Sequence, residues 1–92
     1  MYALIILEEA LEDLRNIVAY IASENPSAAE TLGSDLLGQA ISLESLLHRG
    51  SRVKKRRALL KLIHGQYLIY YRIREQEKVV EIVAFKHGAQ IK

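Results

Sequence analysis

The spacing of apolar residues changes once along this chain, from a helical repeat to a strand-like alternation. Between residues 8 and 47 apolar residues recur every three or four positions, which is the spacing of one face of an amphipathic helix. Between residues 58 and 85 they alternate with polar residues in shorter segments, which is typical of strands with one buried face. Because the two patterns occupy separate halves of the chain, the sequence predicts an α+β fold rather than alternating βαβ units.

A short strand and then a helix are predicted at the start of the chain. Residues 2–7 form an apolar run that is too short for a stable helix, and we expect a buried strand there. Glu8 and Glu9 place negative charge where the N-terminus of a helix favours it. The apolar residues that follow at helical spacing are Leu11, Leu14, Val18 and Ile21.

A second helix is predicted after a tight joint. Asn25 suits an N-cap and Pro26 suits the first helical position, so the second helix is expected to begin there. Its apolar face continues to Leu47, and Gly50 fits a C-terminal stop. The short joint predicts an antiparallel hairpin of the two helices. Close packing of the helices or neutral drift would equally explain two internal glycines, Gly33 and Gly38.

Three strands are predicted in the second half, over residues 58–63, 67–74 and 79–85. Short turns between them indicate an antiparallel meander. The full prediction is a single α+β domain over residues 1–92. It has an N-terminal strand, an antiparallel two-helix hairpin and a three-stranded antiparallel meander, with the helices packed on one face of the sheet.

Alternation along the middle strand assigns its tyrosines to two faces. Tyr67 and Tyr71 share a face with Ile69, and we expect them in the core. Tyr70 lies on the opposite face with Arg72 and Arg74, so it is the better candidate for exposure. Aromatic side chains can stack on nucleic-acid bases, but packing of Tyr70 beneath the helices is the favoured interpretation.

The composition argues against several classes of site. The chain has no cysteine, which excludes disulfides, thiolate metal sites and a cysteine nucleophile. His48, His64 and His87 have no metal-ligand spacing, so no metal and no cofactor are expected. The apolar start is too short for a signal-peptide core or a membrane span, and we expect a soluble, cytoplasmic protein.

Charge is distributed unevenly along the chain. Residues 1–48 contain one basic and eight acidic residues, a net charge of −7, whereas residues 49–92 contain twelve basic and three acidic residues, a net charge of +9. This asymmetry favours a surface that meets a polyanion or an acidic partner. The alternative is that the two halves neutralise each other in space. The acidic residues expected on the solvent side of the helices are Glu12, Asp13, Glu24, Glu30 and Asp35.

Several short motifs follow one another in a fixed order. They are Asp13-Leu14 with Ile17, Tyr20-Ile21-Ala22, Asn25-Pro26, Ala28-Ala29, residues 67–73, Val80 with Ile82, and His87-Gly88-Ala89. In this order they resemble the RelE/ParE toxin superfamily, and most closely the ParE-type, or plasmid stabilisation, toxins. The chain departs from the family pattern at Lys61 and Leu60, where an arginine is common, and at Gln90, where the tail often continues with arginine.

The resemblance implies the toxin of a bacterial type II toxin–antitoxin system, neutralised by a cognate antitoxin that is ParD-like or related. ParE-like members arrest growth by poisoning DNA gyrase without hydrolytic activity of their own. RelE-like members are endoribonucleases that cut messenger RNA on the ribosome, and this is the alternative activity. A non-toxic relative that only binds partners is a further alternative. The antitoxin is expected to cover the apolar groove between the helical hairpin and the sheet, with part of the basic edge.

Candidate catalytic residues follow from the alternative activity. Cleavage of RNA through its 2′-hydroxyl needs a base, an acid and a group that stabilises phosphate charge. Lys61 and Arg72 suit the phosphate, and His87 suits proton transfer. No acid–base pair is recognisable in the sequence, which favours a gyrase-poisoning toxin that acts by binding.

Candidate binding residues come from the most concentrated charge in the chain, at residues 52–57. This segment is either a solvated loop or a contact for phosphate or an acidic target surface. The candidates for binding the target or nucleic acid are Arg52, Lys54, Lys55, Arg56, Arg57 and Lys86.

Overall fold

Two helices pack on one face of a five-stranded sheet, which confirms the predicted α+β class. The computed structural model describes residues 2–88, except the side chain of Arg57. The elements are β1 (Ala3–Ile6), α1 (Glu8–Ala22), α2 (Pro26–Ser42), β2 (Ser51–Val53), β3 (Arg56–His64), β4 (Tyr67–Arg74) and β5 (Val79–His87). The strand order is β1-β5-β4-β3-β2, and only the β1–β5 pair is parallel. The tail motif ends at Ala89 and is followed by Gln90, and both lie outside the described residues.

The predicted first strand is confirmed, but it is an edge strand and is only partly buried, whereas a buried strand was expected. β1 pairs with β5 only from Val79 to Ile82. Its residues alternate between partly buried and exposed, and Ile5 is 45% exposed. The physical reason is that β1 has a neighbour on one side and the helices on one face, which leaves its other face open.

The joint between the helices is built as the sequence predicts. The Asn25 side-chain oxygen accepts a hydrogen bond from the Ala28 N–H at 3.0 Å, and Pro26 occupies the first turn. A Cβ at Gly33 would lie 3.0 Å from Val18 Cγ2, so this glycine permits close approach of the helices. A Cβ at Gly38 would meet nothing within 4 Å. Close packing therefore explains only the first of the two helical glycines.

The second helix ends at Ser42, and its predicted extension to Leu47 is wrong. The Leu43 N–H donates to the Ala40 carbonyl at 3.1 Å, three residues back instead of four. The Ser42 hydroxyl donates to the Gln39 carbonyl at 2.6 Å. These bonds satisfy carbonyls that the helix end leaves open, and they tighten the last turn. The chain then bends towards the sheet.

Gly50 is a point of close approach and not the end of a helix. Its N–H donates to the Tyr71 hydroxyl at 2.8 Å, and that hydroxyl donates to the Leu47 carbonyl at 2.9 Å. A Cβ at position 50 would lie 2.5 Å from the Lys61 carbonyl oxygen and 2.7 Å from the Tyr71 hydroxyl. A side chain cannot fit there without movement of the backbone.

The basic segment after Gly50 forms a β-hairpin rather than a connector, and this adds a fourth strand to the predicted meander. Val53 pairs with Arg56, so Lys54 and Lys55 are the two turn residues. Lys55 has a φ of 67°, in the left-handed region where glycine is preferred. We call residues 51–57 the basic hairpin.

The core lies between the helices and one face of the sheet. Its buried residues are Ala10, Leu36, Ala40, Leu43, Leu62, Ile69, Tyr71, Val80, Ile82 and Phe85. Tyr71 is fully buried and Tyr67 packs against this cluster, as predicted. Tyr70 lies on the other face of β4, so its expected packing beneath the helices is wrong. We call the face that points away from the helices the outer sheet face.

Candidate functional site

A groove lies between α1 and the ends of β4 and β5. It has a volume of about 680 Å³. Its walls combine apolar side chains with charged and amide groups: Asp13, Asn16, Ile17, Tyr20, Ile21, Gln66, Tyr67, Phe85, Lys86 and His87. Tyr20 is 73% exposed at its rim. We call this the α1 groove, because α1 is the helix that lines it.

Asp13 joins the helix to the sheet in this groove. One of its carboxylate oxygens accepts a hydrogen bond from the Phe85 N–H at 3.2 Å, and the other lies 3.5 Å from Lys86 Nζ. β1 stops opposite Ile82, so this part of β5 lies at the edge of the sheet. Asp13 therefore satisfies an edge amide, and it is not the solvent-facing residue that the sequence predicted.

His87 lies on the inner side of the sheet beside Tyr67. The two rings meet edge to face with centroids 5.0 Å apart. His87 Nε2 lies 3.2 Å from the Gln66 side-chain oxygen. This contact orients the imidazole within the α1 groove.

The three candidate catalytic residues do not come together. Lys61 pairs in register with Tyr70, which places both on the outer sheet face. Arg72 is on that face too, opposite Glu81. His87 pairs with Tyr67 on the inner side. The sheet therefore separates the proton-transfer candidate from the two phosphate-stabilising candidates.

Arg72 is held by a local ion-pair network. Its Nε lies 2.5 Å from one Glu81 oxygen, and Arg74 Nε lies 3.1 Å from the other. The hydrogen bond from Arg72 lowers the pKa of Glu81 below its ordinary value, burial of Glu81 opposes this, and Arg74 contributes further lowering. This carboxylate stays ionised and fixes both guanidinium groups on the outer sheet face.

The basic hairpin is at the opposite edge of the sheet from the α1 groove. Arg52, Lys54, Lys55 and Arg56 are exposed there, while the side chain of Arg57 lies outside the described part of the structure. A second, smaller cleft of about 290 Å³ lies at its base. The cleft is lined by His48, Gly50, Arg52, Ala58, Leu60, Ile73 and Glu75. The hairpin thus unites four predicted binding residues, whereas Lys86 lies apart at the α1 groove.

The two oppositely charged halves neutralise each other little through direct contacts. Among residues 2–88, Arg15 pairs with Glu12 within the first half, and Arg72 and Arg74 share Glu81 within the second. The Asp13–Lys86 contact is the only ion pair between described residues that joins the halves.

A sequence profile described as "ParE toxin of type II toxin-antitoxin system, parDE" matches residues 4–92. The chain belongs to the ParE toxin family. No curated protein sequence matches this ParE family member. Its resemblance to ParE-type toxins is thus confirmed over nearly the whole chain.

Solved structures share the fold of this ParE toxin. A chromosomal ParDE system from P. aeruginosa has a TM-score of 0.82 at 19% identity, over 95% of this chain and 96% of that chain. A RelBE toxin–antitoxin complex from Mycobacterium tuberculosis has a TM-score of 0.70 at 19% identity, over 94% and 96%. The isolated E. coli RelE toxin has a TM-score of 0.66 at 15% identity, over 96% and 85%. At these identities the similarity shows the fold alone.

None of the helices within residues 2–88 has the length and apolar character that a membrane span requires. In the same range no three His, Asp or Glu side chains are grouped as metal ligands would be.

The site residues predicted from the sequence of this ParE toxin do not include Asp13, Tyr20 and Gln66, which line the α1 groove. The sequence could have identified Asp13, because this residue lies between Ala10 and Ile17 on the apolar stripe of α1. A charged residue in such a stripe needs a partner. Gln66 carried no signal, because it is a turn residue brought to the groove by the pairing of β4 with β5.

Proposed function

We propose that this ParE toxin inhibits growth by poisoning DNA gyrase through binding, with no hydrolytic chemistry of its own. The observation that carries the proposal is the separation of His87 from Lys61 and Arg72 by the sheet. General acid–base catalysis needs the proton-transfer group within hydrogen-bonding reach of the reacting atoms. Groups on opposite faces of a sheet cannot serve one scissile phosphate.

The basic hairpin is the proposed contact with the gyrase–DNA complex. Its exposed cations are close together on a tight turn, which suits phosphate or an acidic protein surface. The unequal charge of the two halves of the sequence supports this assignment, because the hairpin belongs to the half with a net charge of +9.

The α1 groove is the proposed antitoxin site. Apolar walls, an exposed tyrosine and a few polar groups are the composition of a binding hot spot. The solved relatives include toxin–antitoxin complexes, which supports a cognate antitoxin as partner. The proposed antitoxin is ParD-like and is encoded beside the toxin gene. Toxin, antitoxin and target would then share the cytoplasm.

Cleavage of supercoiled plasmid by purified gyrase tests the toxic activity. Toxin should cause linear DNA covalently linked to gyrase to accumulate, and the neighbouring gene product should prevent this. His87→Ala should keep the activity, since no step depends on the imidazole. Growth arrest without any effect on gyrase would overturn the proposal, and loss of messenger RNA cleavage on ribosomes in His87→Ala would establish the ribonuclease instead. Harmless expression of folded protein would indicate a non-toxic relative.

A matched pair of turn lysines tests the hairpin. Lys55 and Lys78 are both turn residues with positive φ, of 67° and 55°, but only Lys55 lies in the basic hairpin. Lys55→Gly combined with Lys54→Ala should weaken gyrase poisoning, and Lys78→Gly should leave it unchanged. Equal gyrase poisoning by the wild type, the double variant and Lys78→Gly would exclude the hairpin as the target contact.

An exposed pair of apolar residues tests the α1 groove. Tyr20 lines the groove, whereas Leu46, which is 55% exposed, lies on the segment after α2. Tyr20→Glu should weaken antitoxin binding by about tenfold or more, as removal of a hot-spot residue does. Leu46→Glu should bind the antitoxin normally in the same titration calorimetry experiment. Unchanged binding by Tyr20→Glu would place the antitoxin elsewhere.

A further inference from the structure

The tip of the basic hairpin contains four consecutive basic residues, which are Lys54, Lys55, Arg56 and Arg57. The first three are exposed, and the backbone of Lys55 has a φ of 67°. Lysine and arginine are the residues after which trypsin-like endoproteases cut, because the specificity pocket of such an enzyme contains a carboxylate. Exposed turns are also the preferred places for a cut. The tip therefore presents several adjoining peptide bonds that this class of protease recognises.

The basic hairpin is held to the rest of the sheet by few contacts. β2 has three residues and lies at the edge, so it pairs with β3 on one side alone. The register of this pair shifts between Arg52 and Val53, which disrupts the ladder of hydrogen bonds. No core residue of the described chain lies within residues 51–57. Opening of the hairpin therefore exposes little apolar surface, and segments of this kind open at the lowest free-energy cost.

A second exposed basic turn is held more firmly. Lys78, at the β4–β5 turn, is exposed and also has a positive φ, of 55°. Its carbonyl accepts a hydrogen bond from the Ala3 N–H at 2.9 Å, so the peptide bond after Lys78 is held against β1. Both strands that flank this turn contribute buried core residues, so the turn cannot open widely without disturbing the core. A protease should therefore prefer the hairpin to Lys78, although both turns are exposed.

A cut in the hairpin would divide the chain into two parts that the fold holds together. The first part contains β1, both helices and β2, and the second contains β4, β5 and nearly all of β3. β1 pairs with β5 along its whole length, and the core includes residues of both parts. The Tyr71 hydroxyl also forms hydrogen bonds with Leu47 and Gly50, which lie before the cut. The cleaved protein should therefore keep its core and its α1 groove.

We propose that the basic hairpin is a proteolytic cleavage site, at which an endoprotease with an acidic specificity pocket inactivates the toxin. Water adds its hydroxyl to the carbonyl carbon of one of the four basic residues, and the released nitrogen takes the proton, which leaves a new carboxylate and a new amino group. The cut places the cations of the tip on two separate chain ends and removes the tight turn. Loss of toxicity rests on the proposed gyrase contact of the hairpin, but the cleavage itself does not.

Limited digestion of the purified toxin with trypsin maps the site. The first cut should fall within the run of four basic residues, as mass spectrometry of the two fragments shows, and the fragments should still elute together in gel filtration. The combined variant Lys54→Gln, Lys55→Gln, Arg56→Gln and Arg57→Gln should lack this cut, whereas Lys78→Gln should be cut at the wild-type rate. A first cut elsewhere in the chain, or fragments that separate in gel filtration, would overturn the proposal.

Urea separates local opening of the hairpin from unfolding of the whole domain. Opening of the hairpin exposes little surface, so the rate of the first cut should hardly rise with urea well below the unfolding midpoint. Cleavage that follows global unfolding would instead rise as steeply as the equilibrium unfolding curve predicts. That steep rise would overturn the assignment of the hairpin as a site in the folded protein.

The purified cleaved toxin, assayed beside the uncut toxin, tests inactivation. It should bind the product of the neighbouring gene as tightly as the uncut toxin does, because the α1 groove lies at the opposite edge of the sheet. It should no longer cause gyrase-linked linear DNA to accumulate. Cleaved toxin that still poisons gyrase would overturn the inactivation. Uncut toxin that arrests growth without acting on gyrase would instead refute the proposed function, and the mapped cleavage site would still stand.

Discussion

The Tyr71 hydroxyl oxygen lies 2.8 Å from the Gly50 amide nitrogen, 21 residues apart in the chain. The same hydroxyl donates to the Leu47 carbonyl at 2.9 Å. One buried side chain thereby holds residues 47–50, the second part of the segment that connects α2 to the basic hairpin. The position of the hairpin relative to the sheet depends on this tyrosine.

Substitution of Gly50 should be strongly destabilising. In Gly50→Ala the new Cβ would lie 2.5 Å from the Lys61 carbonyl oxygen, so the connecting segment must move. We expect a loss of about 1–3 kcal/mol in the free energy of unfolding, as for other overpacked sites. Gly38→Ala is the control, and it should stabilise α2 by up to about 1 kcal/mol because its Cβ meets nothing. Urea unfolding measures both, and a neutral Gly50→Ala would contradict the close approach.

Removal of the Tyr71 hydroxyl should destabilise the protein and change its behaviour in alkali. Tyr71→Phe leaves the Leu47 carbonyl and Gly50 N–H without this partner, at a cost of about 1–3 kcal/mol. Burial raises the pKa of Tyr71 above 10.0, although the Gly50 hydrogen bond and Arg49 oppose this. The buried Tyr71 hydroxyl should therefore stabilise the wild type fully below pH 10, and this stabilisation should be lost as the pH rises through the raised pKa. Unfolding curves measured across this pH range should show that Tyr71→Phe loses less unfolding free energy in alkali than the wild type does.

Asp13 should stabilise the edge of the sheet more than its neighbour Glu12 does. Asp13→Ala leaves the Phe85 N–H without its carboxylate acceptor, at a cost of about 1–3 kcal/mol. Glu12 makes an exposed pair with Arg15, and Glu12→Ala should cost under about 1 kcal/mol. Hydrogen exchange of the Phe85 amide should quicken only in Asp13→Ala. Equal exchange in both variants would mean that Asp13 does not hold this edge.

Lys55→Gly should stabilise the basic hairpin. A φ of 67° strains any side chain with a Cβ, and glycine relieves this strain, which is worth about 1 kcal/mol. Lys55→Ala keeps the strain and removes the same charge, so it should be less stable than Lys55→Gly. Thermal melting distinguishes the two. If the alanine protein is the more stable, the left-handed turn is not formed in solution.

Glu81 should contribute to stability near neutral pH and lose that contribution in acid. Arg72 and Arg74 lower its pKa below 4.5, so the contribution is present above that value and disappears as the pH falls through the lowered pKa. The difference in the free energy of unfolding between the wild type and Glu81→Gln should therefore be smaller at acidic pH than at neutral pH. Glu77→Gln, at an exposed turn position, is the control for removal of one negative charge. If the difference in unfolding free energy between the wild type and Glu81→Gln does not change with pH, the ion-pair network is not formed in solution.

Local patterns predicted most of the fold. The Asn25-Pro26 joint, the first helix and the alternation that buries Tyr67 and Tyr71 each depend on residues close together in the chain. The α2 end was missed because its apolar spacing continues past Ser42 while distant contacts with Tyr71 redirect the backbone. For the candidate site, the basic cluster was visible in the sequence, but the role of Asp13 was not, because its partner Phe85 is 72 residues away.

The sequence by itself determined the α+β class, the helical joint, the apolar faces and the unequal charge of the two halves, because periodicity, capping and charge are properties of neighbouring residues. Only the tertiary structure decided that the basic segment is a strand pair and that β1 is an edge strand. It also decided that His87 and Arg72 lie on opposite sides of the sheet. These outcomes depend on strand order and on contacts between distant residues, which local spacing does not specify.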